Sequence, residues 1–133
     1  MAARDDSRRV VPVAWAGFLL IGWSGVLLPS LVRQVETRFG VTDAALGIAY
    51  LAASLGYASA SFAGGVLTER VGRRVILAIA AFLIAGGLLL EAAAPSWPVF
   101  VLGAPMVGLG SGAIDGGMNA LLLAIVRAGR GRA

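Results

Sequence analysis

Ser111, Asp115 and Asn119 are spaced by four residues within GLGSGAIDGGMNALL. That spacing puts a hydroxyl, a carboxylate and a carboxamide on one face of a helix. The chemistry available to such a stripe is hydrogen bonding to water or to a polar solute. Asp115 is the only charged member of the run Trp97 to Val126. On insertion scales a carboxylate near the centre of a membrane helix costs about 2.5 to 3.5 kcal/mol, so it faces protein or water rather than lipid. Two readings stand on the residues alone: an acid lining a cavity, or a structural acid hydrogen-bonded to Ser111, to Asn119 or to a neighbouring helix.

The elements that must position this stripe follow from composition. The chain has 133 residues, 59% hydrophobic and 14% charged, with a mean hydropathy of +0.88, which marks an integral membrane protein. A hydrocarbon core of ~30 Å needs about 20 mostly apolar residues in a helix. Four spans are expected, at about 10–32, 44–68, 75–94 and 97–126, giving an all-α integral membrane fold. Barrel strands would be shorter and would alternate in polarity. In the fourth span Asp115 lies roughly 18 Å of helix rise from Arg127 and roughly 27 Å from Trp97, inside the apolar zone.

The sequence has neither cysteine nor histidine, so thiol nucleophiles, disulfides and the commonest metal ligands are absent. No enzyme activity, cofactor or metal site is expected. The isoelectric point near 11.1 does not point to nucleic acid, because the basic residues form short clusters beside apolar runs without interleaved aromatics. All eleven are arginine. Arg4, Arg8, Arg9, Arg70, Arg73, Arg74, Arg127, Arg130 and Arg132 fall on one side of a four-span chain, and only Arg33 and Arg38 on the other. The positive-inside rule then places both termini in the cytoplasm. The first apolar stretch is about twice the length of a signal-peptide core and is read as a retained span.

Between the first two spans, RQVETRFGVTD is polar enough to leave the bilayer and is expected to be an external loop, with Thr42 or Asp43 capping the next helix. Ala52, Gly56, Ala60 and Gly64 form a small-residue stripe in the second span, and Ala104, Gly108, Gly112, Gly116 and Ala120 form a longer one in the fourth. Each is a face where another backbone can approach closely. Pro12, Pro29, Pro98 and Pro105 sit where a kink or helix start is tolerated. Trp15 and Trp97 suit interfacial anchors, whereas Trp23 lies deep enough either to line a cavity or to fill space.

The segment GVLTERVGRRVIL, Gly65 to Leu77, resembles the signature loop of the major facilitator superfamily of secondary transporters, G-x-L-[AT]-[DE]-R-x-G-R-[RK]-x-x-[LI]. Gly65, Leu67, Thr68, Glu69, Arg70, Gly72, Arg73, Arg74 and Leu77 fill every specified position. It falls between the second and third spans, on the arginine-rich side, where that family carries it. Independently of the resemblance, Gly65 allows a helix to approach, Gly72 suits a tight reversal, and Glu69 can pair with an arginine or face a helix N-terminus.

The resemblance implies helices one to four of a twelve-helix fold made of two six-helix halves, with the solute at the midplane between halves and alternating access by rocking. The chain would then be part of an N-terminal half, inactive alone, with the missing helices supplied by another chain or by further sequence. GLGSGAIDGGMNALL is similar to the fourth helix of the fucose-permease-like branch. That similarity implies a central-cavity role for Asp115 and Asn119, and Ser111 and Trp23 join them as pathway candidates. The signature-loop residues inherit a gating role. Related proton-coupled members carry a second carboxylate in the first helix, where this sequence has none. The expected function is secondary transport of a small polar solute across the plasma membrane, with lipid and solute as partners. A small four-helix multidrug-type dimer and a non-transporting membrane subunit are the alternatives.

Overall fold

The computed structural model describes residues 2–130, with side chains at Pro12 and from Trp15 to Ala120. The cytoplasmic assignment of Arg4, Arg8, Arg9, Arg127, Arg130 and Arg132 concerns side chains outside the described residues. The elements are α1 (Ala2–Ser30), α2 (Val32–Phe39), α3 (Asp43–Val71), α4 (Arg73–Ala93) and α5 (Trp97–Arg130), with no strand among the described residues. The helices run past the apolar windows at both ends of the Gly72 turn, since a charge-free run measures what a bilayer tolerates and not where helical backbone stops.

Asp43–Val71, Arg73–Ala93 and Trp97–Ala120 are each long and apolar enough to cross a membrane. Trp15–Ser30 and Val32–Phe39 make a fourth only when taken together across a 54° bend. That bend replaces the expected loop. VRQVETRF is an amphipathic helix: Val32, Val35 and Phe39 recur at i, i+3 and i+7 and turn inward, joining a core of Leu46, Ala49, Ala94, Phe100 and Ala104. A charge count registers only the polar face, Arg33, Gln34, Thr37 and Arg38. Gly40, at φ 63°, closes α2 in the left-handed conformation, its N–H donating to the Glu36 carbonyl. Thr42 occupies the N-cap of α3 as expected, without a side-chain capping bond, and Asp43 stands in the first turn.

Arg38 ties α2 to the far end of α4, donating to the carbonyls of Ala92 at 3.0 Å and Ala94 at 2.8 Å. These carbonyls are left unpaired where a helix ends, and a cation there also meets the favourable end of the helix dipole. Phe39, Trp97 and Phe100 form an aromatic cluster beneath it, with centroids 5.4 to 6.0 Å apart. Trp97 is thus part of the core at this end, whereas Trp15, 67% exposed, faces outward.

α5 is the central helix. Of its membrane window 44% is buried within the chain, against 17% for α3 and 22% for α4. Between apolar helices in lipid, close backbone packing drives association in place of the hydrophobic effect, and glycine supplies it here on two faces. On one face, Gly108, Gly112 and Gly116 lie directly against the backbone of Ala53, Tyr57 and Ser61 on α3. A methyl on Gly56 in return would sit 2.7 Å from the Pro105 carbonyl oxygen. The two stripes read from the sequence therefore meet each other. On the other face, Gly103 and Gly110 press on α4 near Gly87 and Ala80. A second core of Ala80, Ile84, Ile114 and Met118, flanked by Leu20 and Ile21 of α1, holds the opposite end of the bundle.

Candidate functional site

Where α3 and α5 cross, the glycine contact brings one row of α3 side chains beside Asp115. Tyr57 donates its hydroxyl to Asp115 Oδ2 at 2.8 Å, and Ser61, one turn on, reaches the same oxygen at 3.3 Å. Both bonds fall on Oδ2, so Oδ1 has no hydrogen-bond partner among the described residues. Asp115 is half-buried and stands at an edge, not in a sealed core. The carboxylate is oriented by α3 yet keeps acceptor capacity for water or a ligand.

Ser111 and Asn119 do not bond to Asp115; the stripe continues on either side of it instead. Ser111, 7% exposed, lines an open-sided cavity between α1, α3, α4 and α5, while Asn119 is exposed. That cavity measures about 270 Å³, near the lower end of the ~300–1,000 Å³ usual for small-molecule sites. Tyr57 belongs to both places, forming part of the cavity wall and holding Asp115. Trp23 joins neither group: it is 69% exposed on the outer side of α1, while its neighbour Ser24 points inward, donates to the Ile21 carbonyl at 3.0 Å and lines the cavity.

Sequence reasoning passed over Tyr57, Ser61 and Glu91. The signal for the first two is the row Ser54, Tyr57 and Ser61 at i, i+3 and i+7, adjacent to the small-residue stripe of α3. Glu91 stands near the end of an apolar run, and its side chain lies over Gly103, where an added methyl would come within 2.6 Å of its Cγ, and forms part of the cavity wall.

At the Gly72 turn the picture is different. Gly72 adopts φ 95°, joining α3 to α4 through a single residue, and its N–H donates to the Thr68 carbonyl at 3.2 Å. The reversal expected of it is present. Glu69, Arg70, Arg73 and Arg74 are exposed, and among the described residues they make no ion pair, so the pairing expected of Glu69 is not formed. Leu67 is 45% exposed. Gly64, the last member of the α3 stripe, makes the close approach expected of that stripe: a methyl there would be 3.4 Å from the Gly116 Cα, whereas nothing among the described residues lies within 4 Å of one on Gly65. Thr68 has its hydroxyl oxygen buried near Gly117, without a partner among the described residues.

A bundle of apolar helices packed on glycine, with a carboxylate, serines and tyrosines gathered at an open-sided cavity, has the build of a membrane transport protein. The sequence model of the Major Facilitator Superfamily matches residues 13–133, and the chain belongs to that family. Its members are transporters rather than enzymes, so the chain is a multi-pass membrane protein of small-solute transport. No solved structure matches it.

Proposed function

We propose that the chain forms helices one to four of a secondary transporter for a small polar solute, nearest in its fourth helix to the fucose-permease-like branch. It works with further helices and does not transport alone. The supporting observation is the Tyr57–Ser61–Asp115 arrangement, in which α3 fixes one carboxylate oxygen and leaves the other open beside a cavity. A purely structural acid would have its acceptors filled from within the bundle. Ser111 and Asp115 carry the solute contacts. Trp23 and Asn119, both exposed, reach the pathway only where it is completed by helices packed on those faces.

The exposed loop Gly65 to Arg74 fits a gating element that docks on a second half, since its charged side chains point away from this bundle. The nine-to-two distribution of arginine supports cytoplasmic termini in a plasma-membrane protein. In a transport-competent assembly containing this chain, Asp115→Asn is expected to lower uptake about tenfold or more. That corresponds to losing a hydrogen bond to a charged group, about 1.5–3 kcal/mol, with membrane insertion unchanged. Uptake within about twofold of wild type would remove Asp115 from the pathway.

A further inference from the structure

Among the described residues the cavity wall contains one charged side chain, and its chemistry indicates what the cavity accepts. Glu91 is half-buried on α4 in the outer part of a membrane-spanning helix, and among the described residues it makes no ion pair or hydrogen bond through its carboxylate. Arg38, the cation closest in the fold to that end of α4, already uses two guanidinium nitrogens on the carbonyls of Ala92 and Ala94. Gly103 leaves the space in which the Glu91 stem is seated, so the position of the acid is built into α5. Among the described residues no basic side chain lines the cavity.

Most of the remaining wall is apolar, from Ile21, Leu28, Leu88 and Val107, with two tyrosines, Tyr50 and Tyr57. The hydroxyls of Ser24, Ser54, Ser111, Tyr50 and Tyr57 would serve any polar solute, so the carboxylate is the group that selects by charge. An anion would meet a carboxylate and no positive group. A compact organic cation has what each part of the wall needs: a positive charge for Glu91, methyl or methylene groups for the apolar surface, and a charge that tyrosine rings attract.

We propose that this cavity binds a small organic cation, a protonated or quaternary amine, through the Glu91 carboxylate. The inference rests on the transport reading only for its consequence, that the solute carried is cationic; the residues from which the binding site is argued belong to this chain. The probe is choline, with 3,3-dimethyl-1-butanol as its uncharged isostere, titrated against the purified chain in lipid nanodiscs. Choline is expected to bind saturably, and the isostere about tenfold or more weaker. Glu91→Gln is expected to weaken choline binding about tenfold. Glu91→Asp, which keeps the charge, is expected to retain part of the binding, a result that loss of fold would not produce. Glu36→Gln removes an equal charge on α2, away from the cavity, and leaves binding within about twofold.

Absence of saturable choline binding, equal affinity for the isostere, or unchanged binding in Glu91→Gln would each overturn the site, whatever the protein transports. Glu91-dependent choline binding by an assembly that carries no solute would keep the site and sink the transport reading alone.

Discussion

The two ends of the bundle use their charged residues in opposite ways. At the end closed by α2, Arg38 is spent internally, bridging to the α4 terminus above the Phe39, Trp97 and Phe100 cluster. At the Gly72 end, Glu69, Arg70, Arg73 and Arg74 are all exposed and bond to nothing described in the chain. The first end resembled a loop in sequence and is a packed cap. The second carries the most specific motif in the chain, whose Ile76 and Leu77 pack inward while its charged side chains take no part in the packing of this bundle. A dense cluster of charge can thus stand apart from the packing around it, whereas scattered polar residues can be structural if their apolar neighbours share a helical period.

Glycine substitutions give the largest expected contrast between these regions. Gly112→Leu would drive a side chain into the α3 backbone at Tyr57 and cost more than about 3 kcal/mol, beyond ordinary overpacking, because neither backbone can yield. Little folded protein should survive size-exclusion chromatography. Gly65→Leu has open space around it and should leave the thermal unfolding midpoint unchanged while impairing transport in an assembled protein. A folding defect in Gly65→Leu would show that the motif serves this bundle after all.

The arginines give the next contrast. Arg38→Ala strips two hydrogen bonds from helix-terminal carbonyls and should destabilise the chain by about 1–3 kcal/mol. Arg73→Ala should stay within about 0.5 kcal/mol, as an exposed unpaired charge does. Equal losses on thermal unfolding in nanodiscs would erase the distinction between the ends. Smaller still, Tyr57→Phe removes one hydroxyl from Asp115 at an expected cost of about 1 kcal/mol, and Ser61→Ala, with the longer bond, should cost less. The reverse order would mean that Ser61 is the main support of the carboxylate.

What could be read from the sequence depended on whether a signal was periodic. The stripes Ala52 to Gly64 and Ala104 to Ala120 each pointed to a close helix contact, without naming the partner, because a four-residue recurrence maps directly onto a helix face. Gly103 and Gly110 escaped notice since they fall seven apart in a glycine-rich helix, where one face hides another. Asp115 stood out because a charge in an apolar run is costly. Tyr57 did not, since tyrosine is unremarkable in a membrane helix until its hydroxyl has somewhere to point. The α2 cap was lost to a count of polar residues that ignored the spacing of Val32, Val35 and Phe39. GVLTERVGRRVIL located the turn at Gly72, and the stripe ending at Gly64 located the contact, while Gly65 beside it faces open space among the described residues. A shift of one residue rotates a helix by about 100°.

The central claim is that α5 has a wet edge at Ser111 and Asp115 beside a dry interior, and thiol chemistry tests it directly in a sequence with no native cysteine. Ser111→Cys, Asp115→Cys, Ile114→Cys and Met118→Cys would each be treated with a small charged methanethiosulfonate in nanodiscs, and the labelling rates compared. Ile114 and Met118 are each 2% exposed, so their rates set the dry reference. Labelling at 111 and 115 about tenfold or more faster than at 114 and 118 is the predicted result, since only a thiol reached by water ionises and reacts. Equally slow labelling at all four positions would show that Asp115 is sealed in the bundle and that its carboxylate is structural.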